Sequence, residues 1–202
     1  MKKEDIKLYF PWPEYRDNQE DTIIKIIDAY NEGYEVIVLR APVGFGKSPV
    51  GYTVGKILNS SFYTSPQKML QNQLSKDFES KDFAIVKGRN NFRCQNSRET
   101  CDNGKCLLTK TKKKAKPTGG SSSCCDFDAD KQCLYKIQRD NGLVAKICNT
   151  NFSYLMSVSK ELFKKRELLI IDEAHSIPKW ALDFAKININ INKTIYGKEV
   201  KI

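Results

Sequence analysis

Histidine is nearly missing from this 202-residue chain: His175 is the single one. A metal site built on paired imidazoles is thereby excluded, since each needs at least two histidines. Long apolar runs are missing as well. The longest purely aliphatic stretch is LLII at 168–171, far short of the roughly 20 residues that span a bilayer as a helix. The opening residues, MKKEDIKLYF, carry charge throughout and hold no apolar stretch of the secretory type. No internal repeat is found. These absences point to a cytoplasmic or nucleoid-associated protein with no membrane partner, whose thiols stay reduced unless they bind something. Acidic residues are in deficit, 24 against 34 basic, for a net charge of +10. Such an excess suits a polyanionic partner, and a lysine-rich solvated surface gives the same count.

What is present is ordinary for a globular domain: 40% hydrophobic and 29% charged residues, enough chain for one well-buried core with a small insertion. From Asp17 to Glu32 the apolar residues Ile23, Ile24, Ile26, Ile27 and Tyr30 recur at helical spacing, and Gly33 follows as a stop. EVIVLR (35–40) is a continuous apolar run of the kind expected of a strand buried on both faces. Helices are expected at Pro49–Leu58, at Gln67–Phe78, near 134–140 and through FSYLM (152–156). Strands are expected at SFYTS (61–65), FAIV (83–86), VAKIC (144–148) and ELLII (167–171). Strands alternating with helices imply a parallel sheet covered on both faces, a doubly wound α/β domain. Residues 1–89 and 134–185 would form it, interrupted by a cysteine-rich insertion at 90–133. Residues 186–192, KINININ, alternate polar and apolar and read as a strand opening a further, truncated unit at 186–202.

Residues 41–48 read APVGFGKS, after the apolar run and before a helix. In that setting Gly44 and Gly46 permit a tight turn whose amides, with that of Phe45, face phosphate oxygens. Lys47 would reach the β- and γ-phosphates, Ser48 would ligate Mg²⁺, and Pro49 suits the first helical position. The first glycine of the usual eight-residue pattern is replaced by Ala41. LLIIDEAHS (168–176) supplies a strand ending in two acids, placed where α/β ligands bind. Asp172 would hold Mg²⁺ and Glu173 would orient or deprotonate the attacking water, with His175 two residues beyond. ATP hydrolysis is the expected chemistry; a helix cap is the plain alternative for the acidic pair.

Six of the seven cysteines fall at 94, 101, 106, 124, 125 and 133, with gaps C-x6-C-x4-C-x17-C-C-x7-C. Zinc ribbons show two short pairs, and only Cys101/Cys106 has that spacing. Spread thiolates without histidine suit a four-cysteine iron–sulfur cluster, with structural zinc as the alternative. Cys148, inside an expected strand, reads as a buried free thiol. The basic run KTKKKAK (110–116) leads into PTGGSSS, a low-complexity stretch.

GFGKS read with Asp172-Glu173-Ala174-His175 resembles the superfamily 2 helicases, and more narrowly the XPD/DinG family of iron–sulfur DNA helicases. YRDNQ (15–19) resembles that family's R-x-x-Q element, which implies that Arg16 and Gln19 lie near the adenine. FYTSPQKMLQNQL (62–74) is similar to its motif Ia, which contacts the DNA backbone. KGRNNFRC (87–94), QCLY (132–135) and CNTNFSYLM (148–156) resemble the segments that open, close and follow the cluster. The resemblance spans residues 13–185. It implies a RecA-like motor domain using ATP and Mg²⁺, a 4Fe-4S cluster on Cys94, Cys106, Cys125 and Cys133, and Cys101 and Cys124 as substitutes. It also implies 5′-to-3′ unwinding, single-stranded and forked DNA as partners contacted by Lys105, Lys110 and Lys112–Lys114, and a second motor domain beyond residue 202. Two other functions remain open at this point: a nucleotide- and DNA-binding module without independent activity, and a zinc-stabilised P-loop ATPase.

Overall fold

A computed structural model of the chain describes residues 3–66, 68–78, 80–94, 99–103, 133–157 and 166–185. Two units divide the chain, Met1–Asp172 and Glu173–Ile202. In the first, four short strands form one parallel sheet: β1 (Ser61–Thr64), β2 (Phe83–Ile85), β3 (Ile147–Thr150) and β4 (Leu168–Ile171), in the order β2-β3-β1-β4. Ser61 pairs with Ile147 on one side and Leu168 on the other, and the register continues in step to Thr64, Thr150 and Ile171. Such a sheet needs a helical crossover between parallel neighbours and cover on both faces. The helices are α1 (Lys3–Lys7), α2 (Gln19–Asn31), α3 (Lys47–Ile57), α4 (Lys68–Asp77), α5 (Leu134–Val144) and α6 (Phe152–Ser157), with α7 (Ile177–Ala185) in the second unit.

Side-chain alternation divides the sheet into two faces. On the first, Tyr63 and Ile147 pack with Tyr52 of α3, with Leu74 of α4, and with Phe78 and Phe83. Tyr52 stacks on Phe78 at 4.3 Å between ring centroids. Behind α3 lies α2, joined to it by Ile23, Ile27, Val50 and Val54, together with Ile6 and Phe10 from the amino terminus. Each such fully buried side chain contributes about 2 kcal/mol. On the second face Cys148 and Phe62 meet Val86, Tyr135 of α5, Tyr154 of α6 and Cys101. Helices therefore cover both faces, as the alternation of elements requires.

Most elements fall where the sequence places them, with three differences. EVIVLR joins no ladder among the described residues, and Val36 and Val38 are 78% and 84% exposed. Its apolar content satisfies one requirement of a buried strand; the other is a bonded neighbour, and the segment forms no ladder with β4, the edge strand of the described sheet. α5 runs to Val144, so the strand expected at 144–148 starts only at Ile147. α3 begins at Lys47, placing Pro49 third in the helix rather than first. That position is tolerated because first-turn N–H groups have no intrahelical acceptor.

Arg166 staples the sheet's lower edge. Nη1 donates to the carbonyls of Ser61 (3.2 Å), Ala145 (2.8 Å) and Lys146 (2.9 Å), and Nη2 to that of Gly142 (2.8 Å). Its guanidinium lies over the Phe62 ring at 4.9 Å. Burial lowers its pKa from the ordinary value, with the Cys148 thiol opposing. Arg166 thus closes the end of α5 and fixes β1 against β3 with one planar group. Replacing it removes these donors, although Lys146 O keeps the Ser61 N–H at 2.8 Å, and hydrogen bonds to charged groups are worth about 1.5–3 kcal/mol. Arg166→Ala should cost about 3 kcal/mol in denaturant unfolding, and Arg166→Lys should recover less than half, because one ammonium cannot reach both sides of the gap.

Candidate functional site

The glycine-rich loop sits at one end of α3, and the sheet fixes which end of the strands that is. A Cβ on Gly51 would touch Tyr63 and Ile170, whereas one on Gly55 would touch Ser61 and Ile147. Following α3 from its amino end therefore descends β1 from Tyr63 to Ser61, so α3 runs antiparallel to the strands. The loop consequently lies at the strands' C-terminal edge. Asp172 lies at the same edge, directly after Ile171, with its N–H donating to the Thr64 carbonyl at 3.1 Å.

The loop's backbone follows from its glycines. Gly44 and Gly46 have φ of 87° and 83°, a region that L-residues with side chains enter at a cost. Three side chains then bind the loop's carbonyls. Arg16 Nη1 donates to Gly44 O at 2.6 Å, and Gln19 Nε2 donates to Phe45 O at 2.8 Å and Gly46 O at 3.2 Å. Lys47 Nζ donates to Ala41 O at 3.2 Å and Pro42 O at 3.3 Å. Peptide units are planar and trans, so a carbonyl held on one side turns its N–H to the other. Fixing Phe45 O and Gly46 O in this way turns the N–H groups of Gly46 and Lys47 away from Gln19. They join that of Ser48 at the start of α3, where first-turn donors lack helical acceptors.

The start of α3 carries positive charge of its own. α3 has no acidic residue in its first turn and begins with Lys47, a cation at the positive end of the helix dipole. Lys47 binds neutral carbonyls and no carboxylate among the described residues. Ser48 is partly exposed in the same turn. A hydroxyl and a carboxylate, Ser48 and Asp172, are the hard oxygen donors that suit Mg²⁺.

Arg16 and Gln19, expected near adenine, both face the loop backbone. Gln19 is fully buried, and its Oε1 accepts the Arg16 N–H at 2.9 Å, a reach-back over the start of α2. In the second unit Glu173 has φ 53° and its Oε2 lies 3.2 Å from His175 Nδ1. Both side chains are exposed.

Of the cysteines, four are described. Cys94 and Cys101 are buried, and the short bridge Arg93–Thr100 brings their backbones together, with Cys101 N–H on Phe92 O at 2.8 Å. Cys133 immediately precedes α5 and packs against the cluster that contains Cys101. Among the described residues no three metal-ligating side chains converge. Cys106, Cys124 and Cys125, like Lys105, Lys110 and Lys112–Lys114, lie outside the described residues, as do 186–202. Cys148 is fully buried in β3, and burial pushes its thiol up to about 12, against a smaller lowering by Arg166. It is an inert core residue, as its place in a strand implies.

Sequence reading missed a polar band at the strands' C-terminal edge. Thr64, Ser65, Asn149 and Thr150 are all buried there. Asn149 Nδ2 donates to Ser65 Oγ at 3.2 Å, Thr64 Oγ1 to Ile170 O at 3.2 Å, and Thr150 Oγ1 to Val86 O at 3.0 Å. Asn151 Oδ1 caps α6 through the Tyr154 N–H at 2.7 Å. Polar residues closing successive strands of an otherwise apolar sheet were the available signal.

Residues 13–196 match the family described as type III restriction enzyme, res subunit. The match covers most of the chain, and the chain belongs to that family, which lies among the superfamily 2 helicase-like proteins with their ATP-dependent motor domains. No curated protein matches the chain. No helix among the described residues is long and apolar enough to cross a membrane.

A side chain on Gly46 would meet both the left-handed backbone and the Gln19 amide. Gly46→Ala should therefore lower stability by about 1–2 kcal/mol in thermal or denaturant unfolding. Val43→Ala, at a fully exposed loop position, should change it by less than about 0.5 kcal/mol.

Proposed function

We propose that the chain is the ATP-binding motor domain of a DNA helicase of the XPD/DinG type, hydrolysing ATP at the loop 41–48 and holding an iron–sulfur cluster on its cysteine-rich insertion. The observation that carries the nucleotide part is Lys47. A cation at a helix N-terminus, with no carboxylate partner among the described residues, above amides turned outward by two left-handed glycines, is stabilised by a multiply charged anion. Lys47 would leave its carbonyls for the β- and γ-phosphate oxygens, which are stronger acceptors. The amides of Gly44, Gly46 and Lys47 would line the phosphate chain, joined by that of Phe45 once it leaves Pro42 O, to which it donates at 3.4 Å. Ser48 and Asp172 would hold Mg²⁺, which supplies charge neutralisation at the phosphates. Glu173 would orient the attacking water and take its proton, and His175 would position that carboxylate.

For the cluster, support comes from the burial of Cys94 and Cys101 beside each other and from Cys133 on the same apolar cluster as Cys101. Thiolates are the donors such a cluster takes. Cys94 and Cys133 are the ligands proposed from the described residues, completed by Cys106 and Cys125. Cys101, 3% exposed, competes with Cys106 for the second position. The basic excess supports a DNA partner, and strand separation in 5′-to-3′ direction would require the second motor domain that the resemblance implies.

Glu173→Gln separates binding from chemistry, because the amide cannot accept a proton. In phosphate-release assays with single-stranded DNA, the substitution should abolish turnover while Mg·ATP affinity stays within about threefold of wild type. Turnover equal to wild type would remove Glu173 from the mechanism. Protein purified without oxygen should be brown, with iron and sulfide in equal amounts, and Cys94→Ser or Cys133→Ser should bleach it. Colourless protein with one zinc and no sulfide would replace the cluster with a structural zinc site.

A further inference from the structure

Helix α5 meets the segment before Cys94 along one stripe. Tyr135, Gln138 and Gly142 fall at i, i+3 and i+7, so they share a face of the helix. A Cβ on Gly142 would collide with Val86. Gln138 Oε1 accepts the Lys87 N–H at 2.9 Å. The Phe92 and Tyr135 rings meet edge to face, with centroids 5.8 Å apart, and the Arg89 guanidinium lies over the Tyr135 ring at 4.5 Å. The order of these contacts sets a direction. From Val86 to Phe92 the chain passes from the last turn of α5 back to its first. Cys94 is thus carried toward the end of α5 that Cys133 precedes.

Tyr135 is the point where the described arms of the insertion meet. Phe92 stands two residues before Cys94, and its carbonyl accepts the Cys101 N–H at 2.8 Å. Cys101 belongs to the same buried cluster as Tyr135, and Cys133, two residues before Tyr135, packs on that cluster. The ring is anchored in turn: Tyr135 and Tyr154 are 6% and 9% exposed, and their hydroxyls bond each other at 2.9 Å. The contacts of the ring with Phe92, Arg89 and Tyr154 use no thiol, so they stand whatever the sulfurs bind. Residues 95–132 separate Cys94 from Cys133, and bringing the ends of such a chain together costs closure entropy. A fold that already holds both arms has met that cost before a metal arrives.

We infer that Tyr135 is a positioning residue for the cysteine site. Its ring docks the arm carrying Cys94 and Cys101 on the helix that follows Cys133, and so presets these thiols for a metal centre. Residues that orient ligands from behind commonly change metal affinity by about 10–100-fold. The inference rests on the reading that these thiols hold a metal, as cluster or as zinc, and goes beyond it in naming the residue that sets the site.

Titrating Co²⁺ into the full chain tests it, after a chelator has removed bound metal under reducing, oxygen-free conditions. Thiolate-to-cobalt charge-transfer absorbance reports binding, and wild type should bind saturably. Tyr135→Phe keeps the ring and loses the hydroxyl bond, and should bind within about twofold of wild type. Tyr135→Ala should bind about tenfold or more weakly, while circular dichroism shows its helices intact. Gln138→Ala removes the bond to the Lys87 N–H at a partly exposed position. It should weaken binding by about fivefold, and it carries the test if Tyr135→Ala does not fold. A folded Tyr135→Ala variant with wild-type affinity overturns the inference. So does an unfolded one accompanied by wild-type affinity in Gln138→Ala. Binding by Tyr135→Phe as weak as by Tyr135→Ala removes the ring from the role and overturns it too. No cobalt–thiolate band from wild type overturns the metal reading of the cysteines, and this inference with it, and leaves the nucleotide site standing.

Discussion

The loop that would receive phosphate is shaped by one buried amide. Gln19 holds two consecutive carbonyls from behind, and peptide planarity then directs the N–H groups of Gly46 and Lys47 forward. The arrangement works only if α2 stands at a fixed distance from the start of α3. Ile23 and Ile27 against Val50 and Val54 set that distance, with Ile6 and Phe10 closing the far side. It works also only if residue 46 lacks a side chain, because the Gln19 amide takes up that volume. A backbone conformation, a helix–helix contact and a hydrogen-bonding pattern therefore depend on each other. Changing any one of them alters what the loop presents.

The sheet supplies the second fixed point. Arg166 ties the lower ends of β1 and β3 to the end of α5, so the strands keep step up to Thr64, Thr150 and Ile171. At the upper edge the buried hydroxyls and amide of Thr64, Ser65, Asn149 and Thr150 satisfy one another and the backbone. Asp172 leaves the sheet from that edge at a position set by its N–H bond to Thr64 O. The same edge carries the N-terminal end of α3. A carboxylate and a lysine at one rim of a parallel sheet are a consequence of register and crossover direction, without reference to any ligand.

Much of this was legible because the signals were periodic or punctuated. The helical spacing of Ile23 and Ile27, the apolar run ELLII, and the glycines before Lys47 each have one structural meaning in their context. EVIVLR shows where such reading fails: composition reports affinity for a core, not whether the backbone bonds a neighbouring strand. The roles of Gln19 and Arg166 were not legible either. A glutamine and an arginine accept many partners, and which carbonyls they meet is settled by contacts 26 and 105 residues away in sequence. The cysteines fall between these cases. Its place in a strand marked Cys148 as a buried core thiol, and Cys133 packs on the apolar cluster that contains Cys101, whereas Cys106, Cys124 and Cys125 lie outside the described residues.

Everything proposed for the site depends on Lys47 exchanging carbonyl acceptors for phosphate. Titrating Mg·ATP into wild type and Lys47→Ala measures that exchange directly. The account predicts saturable binding by wild type and a loss of about a hundredfold or more in the variant, with its fold intact by circular dichroism. Equal affinity in the two proteins would contradict it.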